Sequence, residues 1–186
     1  MVVWRSVGGM PDPEFERNDA KGYKVVTAPP AGELVGMLLH PRFFGAWAHF
    51  DKSSLPHRDE LCEGLKCPFR VKDVHPAPRW FAHIGIQLPG MRRPRMLKIT
   101  QGCLNYGDQV LQWHLDGDLA GRYVKVFRLT KSNTGPQRIR PHERGHVKLD
   151  VPIEMAFDLE RAVQKLYGVE PDPGLPGFGL PPEHNI

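Results

Sequence analysis

Cysteine is scarce in this sequence, with three residues in 186. An odd count without a secretory signal excludes a disulfide framework, so the thiols are buried side chains or metal ligands. No stretch approaches the roughly 20 apolar residues that a membrane helix needs. The N-terminal stretch MVVWRSVGGMPDPEFERND has no apolar run of the signal-peptide kind and turns acidic early, so a cytoplasmic protein is expected. There is also no Gly-rich phosphate loop, no Gly-x-Ser-x-Gly and no His-Glu-x-x-His. Catalysis has no motif to stand on, and a non-enzymatic protein is expected.

Glycine and proline, in contrast, are abundant, at 19 residues each. That is about a fifth of the chain against the roughly 12% of average usage. Such a share argues against a helical bundle and for short strands, turns and irregular chain. The net charge of +4 is also unevenly placed. Residues 79–148 hold thirteen Lys/Arg against four Asp/Glu, a net of +9, and residues 149–186 hold two against seven, a net of −5. A basic middle attracts phosphates, and an acidic end can compete for the same surface or dock a protein partner.

The pattern of elements divides the chain. Residues 1–31 read as an N-terminal arm in which KVVT at 24–27 can pair as an edge strand. An ordered core is expected over 32–150, a helix over 151–168, and a disordered, acidic Pro/Gly-rich tail over 169–186. Within the core, residues 33–39 read as a strand. Residues 43–50 (FFGAWAHF) are a second strand or the continuation of a bent first one. Residues 51–78 contain four prolines and no convincing element, an unusually long loop unless something else orders it. Residues 79–88 (RWFAHIGIQL) alternate, with Trp80, Ala82, Ile84, Ile86 and Leu88 on one face and Arg79, Phe81, His83 and Gln87 on the other. Residues 95–100 follow with Leu97 and Ile99 inward. Residues 103–115 suit a short amphipathic helix weakened by Gly107, and residues 122–130 and 137–140 form a hairpin. Over 122–129 either face can be the inner one, because Val124 and Val126 share one and Tyr123, Lys125 and Phe127 the other. Short strands with one helix before the last hairpin predict a mainly β fold, a small OB-like Greek-key barrel. An α+β sandwich with another strand order is the alternative.

Two constellations carry candidate chemistry. The first is His57-x4-Cys62-x4-Cys67 in the long loop, with His49 before it and His75 after it. Zinc takes four nitrogen or sulfur ligands in closed structural sites, and one ion can order a loop that lacks a core. His57, Cys62, Cys67 and His75 are the candidate ligands, with His49 as another choice for the fourth. Arg70 stands where a Cys-Pro-x-Cys turn would place its second thiol, so the site is either completed by histidine or lost. The bland reading is a pair of thiols in a loop.

The second constellation interleaves cations and aromatic rings on strands: Arg79, Phe81 and His83, then Lys98, then Tyr123, Lys125 and Phe127. Cations along a nucleic-acid backbone and rings stacked on bases hold single strands in this way. Arg92, Arg93 and Arg95 in one turn, with Arg138, Arg140 and Arg144 beyond the hairpin turn, extend the positive region toward phosphates. The competing reading places Tyr123 and Phe127 in the core and leaves the arginines as solubilising charge.

The order Cys62-x4-Cys67-Pro68, Arg79-Trp80, RMLKIT at 95–100, the short helix and Leu119-x-Gly121-x5-Phe127-Arg128 resembles the zinc-containing single-stranded-DNA-binding OB-fold proteins of phages and mobile elements. The likeness spans residues 32–142 and is one of order. It implies a loop zinc, a barrel face that binds single strands with little sequence preference, and a C-terminal acidic segment that docks partners. The expected function is therefore single-stranded nucleic-acid binding, with DNA as the expected ligand. One alternative is a protein-interaction or inhibitor module of a phage or mobile element, whose basic face meets an acidic partner. Another is a small metal-dependent nuclease using Asp116 and Asp118 beside His114.

Overall fold

A computed structural model describes residues 16–18, 24–51, 58–62, 79–91, 93–132, 135–149 and 159–167. The chain is mainly β. In order the strands are β1 (Glu16–Asn18), β2 (Lys24–Val26), β3 (Glu33–Leu38), β4 (Phe44–Asp51), β5 (Arg58–Leu61), β6 (Arg79–Gln87) and β7 (Arg95–Thr100). Helices α1 (Gln101–Asn105) and α2 (Asp108–Asp116) follow, then β8 (Arg122–Arg128), β9 (Gln137–His146) and helix α3 (Leu159–Leu166).

All nine strands belong to one sheet with the path β1-β2-β7-β6-β3-β8-β9, and β4 and β5 branch from β6. Strands β3 and β4 both run antiparallel to β6: Met37 and Leu38 pair with Gln87 and Ile86, and Phe44 to Ala48 pair with His83 to Arg79. They form one bent line interrupted at residues 39–43, so FFGAWAHF continues the first strand. Among the described residues the sheet is not closed into a barrel. This corrects the expected barrel, because β1 and β9 end the path unpaired with each other. The free edge of β7 is taken by β2, which runs parallel to it through Val25 and Met96. Val25 and Val26 are buried, so the end of the N-terminal arm belongs to the sheet, between β1 and β7.

The strong alternation over 79–88 places Trp80, Ala82, Ile84, Ile86 and Leu88 in the principal core. Leu97 and Ile99 of β7, Leu34 and Leu38 of β3, and Val124, Val126 and Ile139 join them. Helices α1 and α2 cover this face through Cys103, Leu104 and Val110. The expected single helix is two, with Gly107 between them outside helical geometry at φ −105° and ψ 51°, and a Cβ there would stand 2.8 Å from Ile139 Cγ2. Thr100 caps α1 by accepting the Cys103 amide, and Gly117 ends α2 in the left-handed region at φ 74°.

Among the described residues the second face of the sheet is covered only in part. Leu159, Ala162, Val163 and Tyr167 of the α3 segment pack on Val25, Ala46, Ala48 and Met96. The expected loop at 51–78 contains β5, which pairs with β4 from Asp51↔Arg58 to Ala48↔Leu61. Among the described residues no helix is long and apolar enough to cross a membrane.

Candidate nucleic-acid interface

Strand β8 settles which of its faces is inner. Val124 and Val126 are fully buried in the core, so the period of two turns Tyr123, Lys125 and Phe127 to the opposite face. Strand β9 lies alongside, with Phe127 opposite Arg138 and Lys125 opposite Arg140. The valines face inward because the principal core is aliphatic there. The half-buried rings and the cations are left on the outer face.

Each ring along this edge meets an arginine of β9. The Arg140 guanidinium lies 5.7 Å from the Phe127 ring centroid, and that of Arg144 lies 5.7 Å from the Tyr123 centroid. Arg138 reaches the edge and sits 4.1 Å over Tyr106, the residue that ends α1. Tyr106 is 65% exposed. Sequence reasoning missed it, although an exposed aromatic just before Gly107 was a signal. These distances lie within the roughly 6 Å over which a cation is attracted to a ring face. Lys125 is tied to Glu33 of β3 at 3.3 Å.

The β8–β9 ladder is irregular between Arg122↔His146 and Val124↔Pro141. The extra residues carry Arg144 out to Tyr123, with Gly145 at φ 68° allowing the bend. Strand β9 therefore runs beyond the four residues expected from sequence and includes residues 142–146 (HERGH), whose two histidines bracket Glu143, Arg144 and Gly145. His142 accepts the Arg144 amide through Nδ1, and His146 bonds the Ala120 carbonyl through Nε2. Neither arrangement forms a metal pair.

The remaining predicted contacts divide. Arg79 is exposed at the start of β6, and Arg93 is exposed in the β6–β7 turn. Arg95 is partly buried, its guanidinium 3.9 Å from Met91 Sδ. Arg92 lies outside the described residues. Phe81, His83 and Lys98 do share the outer face, beside α3; Phe81 and Lys98 are half-buried there, and the burial of His83 corrects its expected exposure. His83 is 0% exposed. Its Nδ1 lies 3.2 Å from the Phe44 carbonyl and its Nε2 3.3 Å from the Tyr167 hydroxyl. Burial, with Lys98 nearby, lowers its pKa to about 3, against a weaker opposing effect of the Phe44 bond. Lys98 Nζ sits 4.1 Å over Phe81 and 5.6 Å from the Tyr167 centroid.

For the predicted metal ligands, His57, Cys67 and His75 lie outside the described residues. Cys62 and His49 are both buried. The Cys62 amide donates to the Trp47 carbonyl, and His49 pairs with Glu60. Alternation therefore puts Cys62 and His49 on the same face of the β4–β5 ribbon. Among the described residues no group of three His, Cys, Asp or Glu side chains could hold a metal. Burial pushes the Cys103 thiol up to about 12, which makes it an inert core residue.

The acidic residues Asp116, at the end of α2, and Asp118, after it, do not converge on His114. Asp116 accepts from Gln112, and Asp118 is paired with Arg122. His114 is buried and accepts the Phe43 amide through Nδ1, and burial, aided by Arg42, lowers its pKa.

No family model matches the chain, and no curated protein or solved structure is found to be similar to it.

Proposed function

We propose that this protein binds single-stranded nucleic acid, with DNA as the first candidate, on the outer face of β8 and β9, and catalyses no reaction there. The observation that carries the reading is the pair of outer-face rings, Phe127 and Tyr123, each with an arginine of β9 within 5.7 Å, while Arg138 reaches from the same strand to the exposed Tyr106 at the end of α1. Aromatic faces stack on bases of any sequence, and arginines add both charge for phosphates and a planar face of their own. The net of +9 over residues 79–148 supplies the long-range attraction. In this reading the site is the β8–β9 edge, and the β6–β7 half of the same face is occupied by α3.

A loop zinc remains part of the proposal. Cys62 and His49, buried on one face of the β4–β5 ribbon, suit two of its ligands, with His57, Cys67 and His75 as the candidates for the rest. Docking of a protein on the acidic C-terminal segment, and a cytoplasmic setting, belong to the same proposal.

Fluorescence anisotropy with a labelled oligonucleotide at two salt concentrations tests the function. Binding that weakens steeply with salt is the expected result. Absence of binding at low salt overturns it and favours an acidic protein as the partner of the basic face. The same oligonucleotide should stay intact on incubation with magnesium, and its cleavage would restore the nuclease alternative.

A further inference from the structure

We infer, on the footing of that reading, that α3 is an autoinhibitory element, docked on ground that a bound single strand also uses and displaced when the strand arrives. The outer face is continuous across the sheet. Lys98 of β7 pairs with His83 of β6, Gln87 of the same strand pairs with Met37 of β3, and Met37 pairs with Tyr123 of β8. Alternation therefore sets Lys98, Phe81, His83, Tyr123 and Phe127 on one surface. A cation meets a ring at both ends of it. Arg140 lies 5.7 Å from the Phe127 centroid at one end, and Lys98 lies 4.1 Å from that of Phe81 at the other.

At the second end Tyr167, at the end of α3, stands beside the pair. Its ring centroid is 5.6 Å from Lys98 Nζ and 5.6 Å from that of the His83 ring, and its hydroxyl lies 3.3 Å from His83 Nε2. The chain thus supplies to its own face what a base would bring, an aromatic ring near the ammonium and a polar group on the imidazole nitrogen. Phosphate is a stronger partner for Lys98 than a ring, because it offers a full charge and a hydrogen bond together. Helix α3 has eight residues, too few to stay formed in water without its tertiary contacts. Such an element opens at lower cost than the sheet beneath it. The footing it leaves, Val25, Ala46, Ala48 and Met96, is apolar, and bases can cover it in its place.

The test uses the full chain and oligo-dT of about twelve nucleotides, within the usual range of single-strand site sizes. The Tyr167 amide donates to the Val163 carbonyl at 3.2 Å, so its hydrogen exchange reports whether α3 is formed. Saturating oligo-dT is expected to speed exchange over 159–167 while the amides of β6 stay protected. Val163 is fully buried against the sheet, and Val163→Asp loosens α3 by placing a charge there. The variant should bind oligo-dT about fivefold more tightly, since a larger share of molecules has the face open. Tyr167→Phe removes only the hydroxyl on His83 and should gain about twofold; circular dichroism controls for folding in both. Oligo-dT that binds while exchange over 159–167 is unchanged or slowed overturns the inference and leaves single-strand binding standing. Folded variants that bind no more tightly than the parent do the same. If oligo-dT does not bind at low salt, the functional reading fails and this inference fails with it.

Discussion

The hydroxyl of Tyr167 lies 3.3 Å from Nε2 of His83, joining the end of α3 to the middle of β6 across 84 residues of chain. Because the Phe44 carbonyl can only accept, Nδ1 carries the hydrogen and Nε2 accepts from the tyrosine. The neutral imidazole thus has both of its hydrogen-bonding groups satisfied in the interior. A proton added to it would be a charge buried beside Lys98.

This pair predicts an acid sensitivity. With the folded pKa lowered to about 3 from 6.5, the unfolded chain binds more protons between those values. Stability is full above about pH 6.5 and falls as the pH drops toward 3, by on the order of a few kcal/mol. His114, also lowered, acts in the same direction. Urea unfolding measured from pH 7 to pH 4 should show the loss, and His83→Leu should flatten it. An identical slope in the variant would show that other groups carry the dependence.

Phe127→Ala and Tyr123→Ala should each weaken oligonucleotide binding by about tenfold or more, since a base–ring stack contributes roughly 1–3 kcal/mol. Both rings lie on the outer face, so circular dichroism and the unfolding midpoint should change little. A chain that unfolds after Phe127→Ala would make that ring a core residue.

On the opposite face the expectation reverses. Ile84 is fully buried in the principal core, and Ile84→Ala should cost about 2–5 kcal/mol in chemical unfolding. Affinity per folded molecule should stay as it was.

Gly121 sits at φ 82°, and a Cβ there would run into the Val147 carbonyl. Its own carbonyl accepts the Val147 amide at 2.9 Å. Gly121→Ala should therefore destabilise by about 1–3 kcal/mol. It should also loosen the end of β9, which hydrogen exchange at Val147 would detect. Unchanged protection there would mean that the chain accommodates the side chain by a local shift.

Metal content measured on untagged protein decides the loop. One zinc per chain is expected, with Cys62→Ala losing it and lowering the unfolding temperature. A metal-free protein of unchanged stability would assign Cys62 to the core alone.

Much of the fold was legible from local pattern. A strict period of two over 79–88 identifies the inner face of β6 without any knowledge of its neighbours, because only one set of side chains there is uniformly apolar. The same rule sorts Leu97 and Ile99 from Met96 and Lys98. Over 122–129 it gives no answer, since valines on one side and aromatic rings on the other are both acceptable to a core. What decided the matter was the aliphatic cluster contributed by β3, β6 and β7.

The scarcity of cysteine, the absence of a long apolar run, the basic middle and the alternation of the central strands are properties of the sequence by itself. They determine a mainly β protein without a disulfide framework and with two chemically distinct sheet faces. Alternation cannot say what lies over the second face, because that depends on a helix some 80 residues away in the chain. Only the tertiary structure decided that α3 lies beside Phe81, His83 and Lys98, with His83 fully buried, while among the described residues no helix covers the half-buried Tyr123 and Phe127 or the exposed Arg140 and Arg144. The physical reason is that Leu159, Ala162, Val163 and Tyr167 find an apolar footing on Val25, Ala46, Ala48 and Met96, and the β8–β9 half, studded with charge, offers them none.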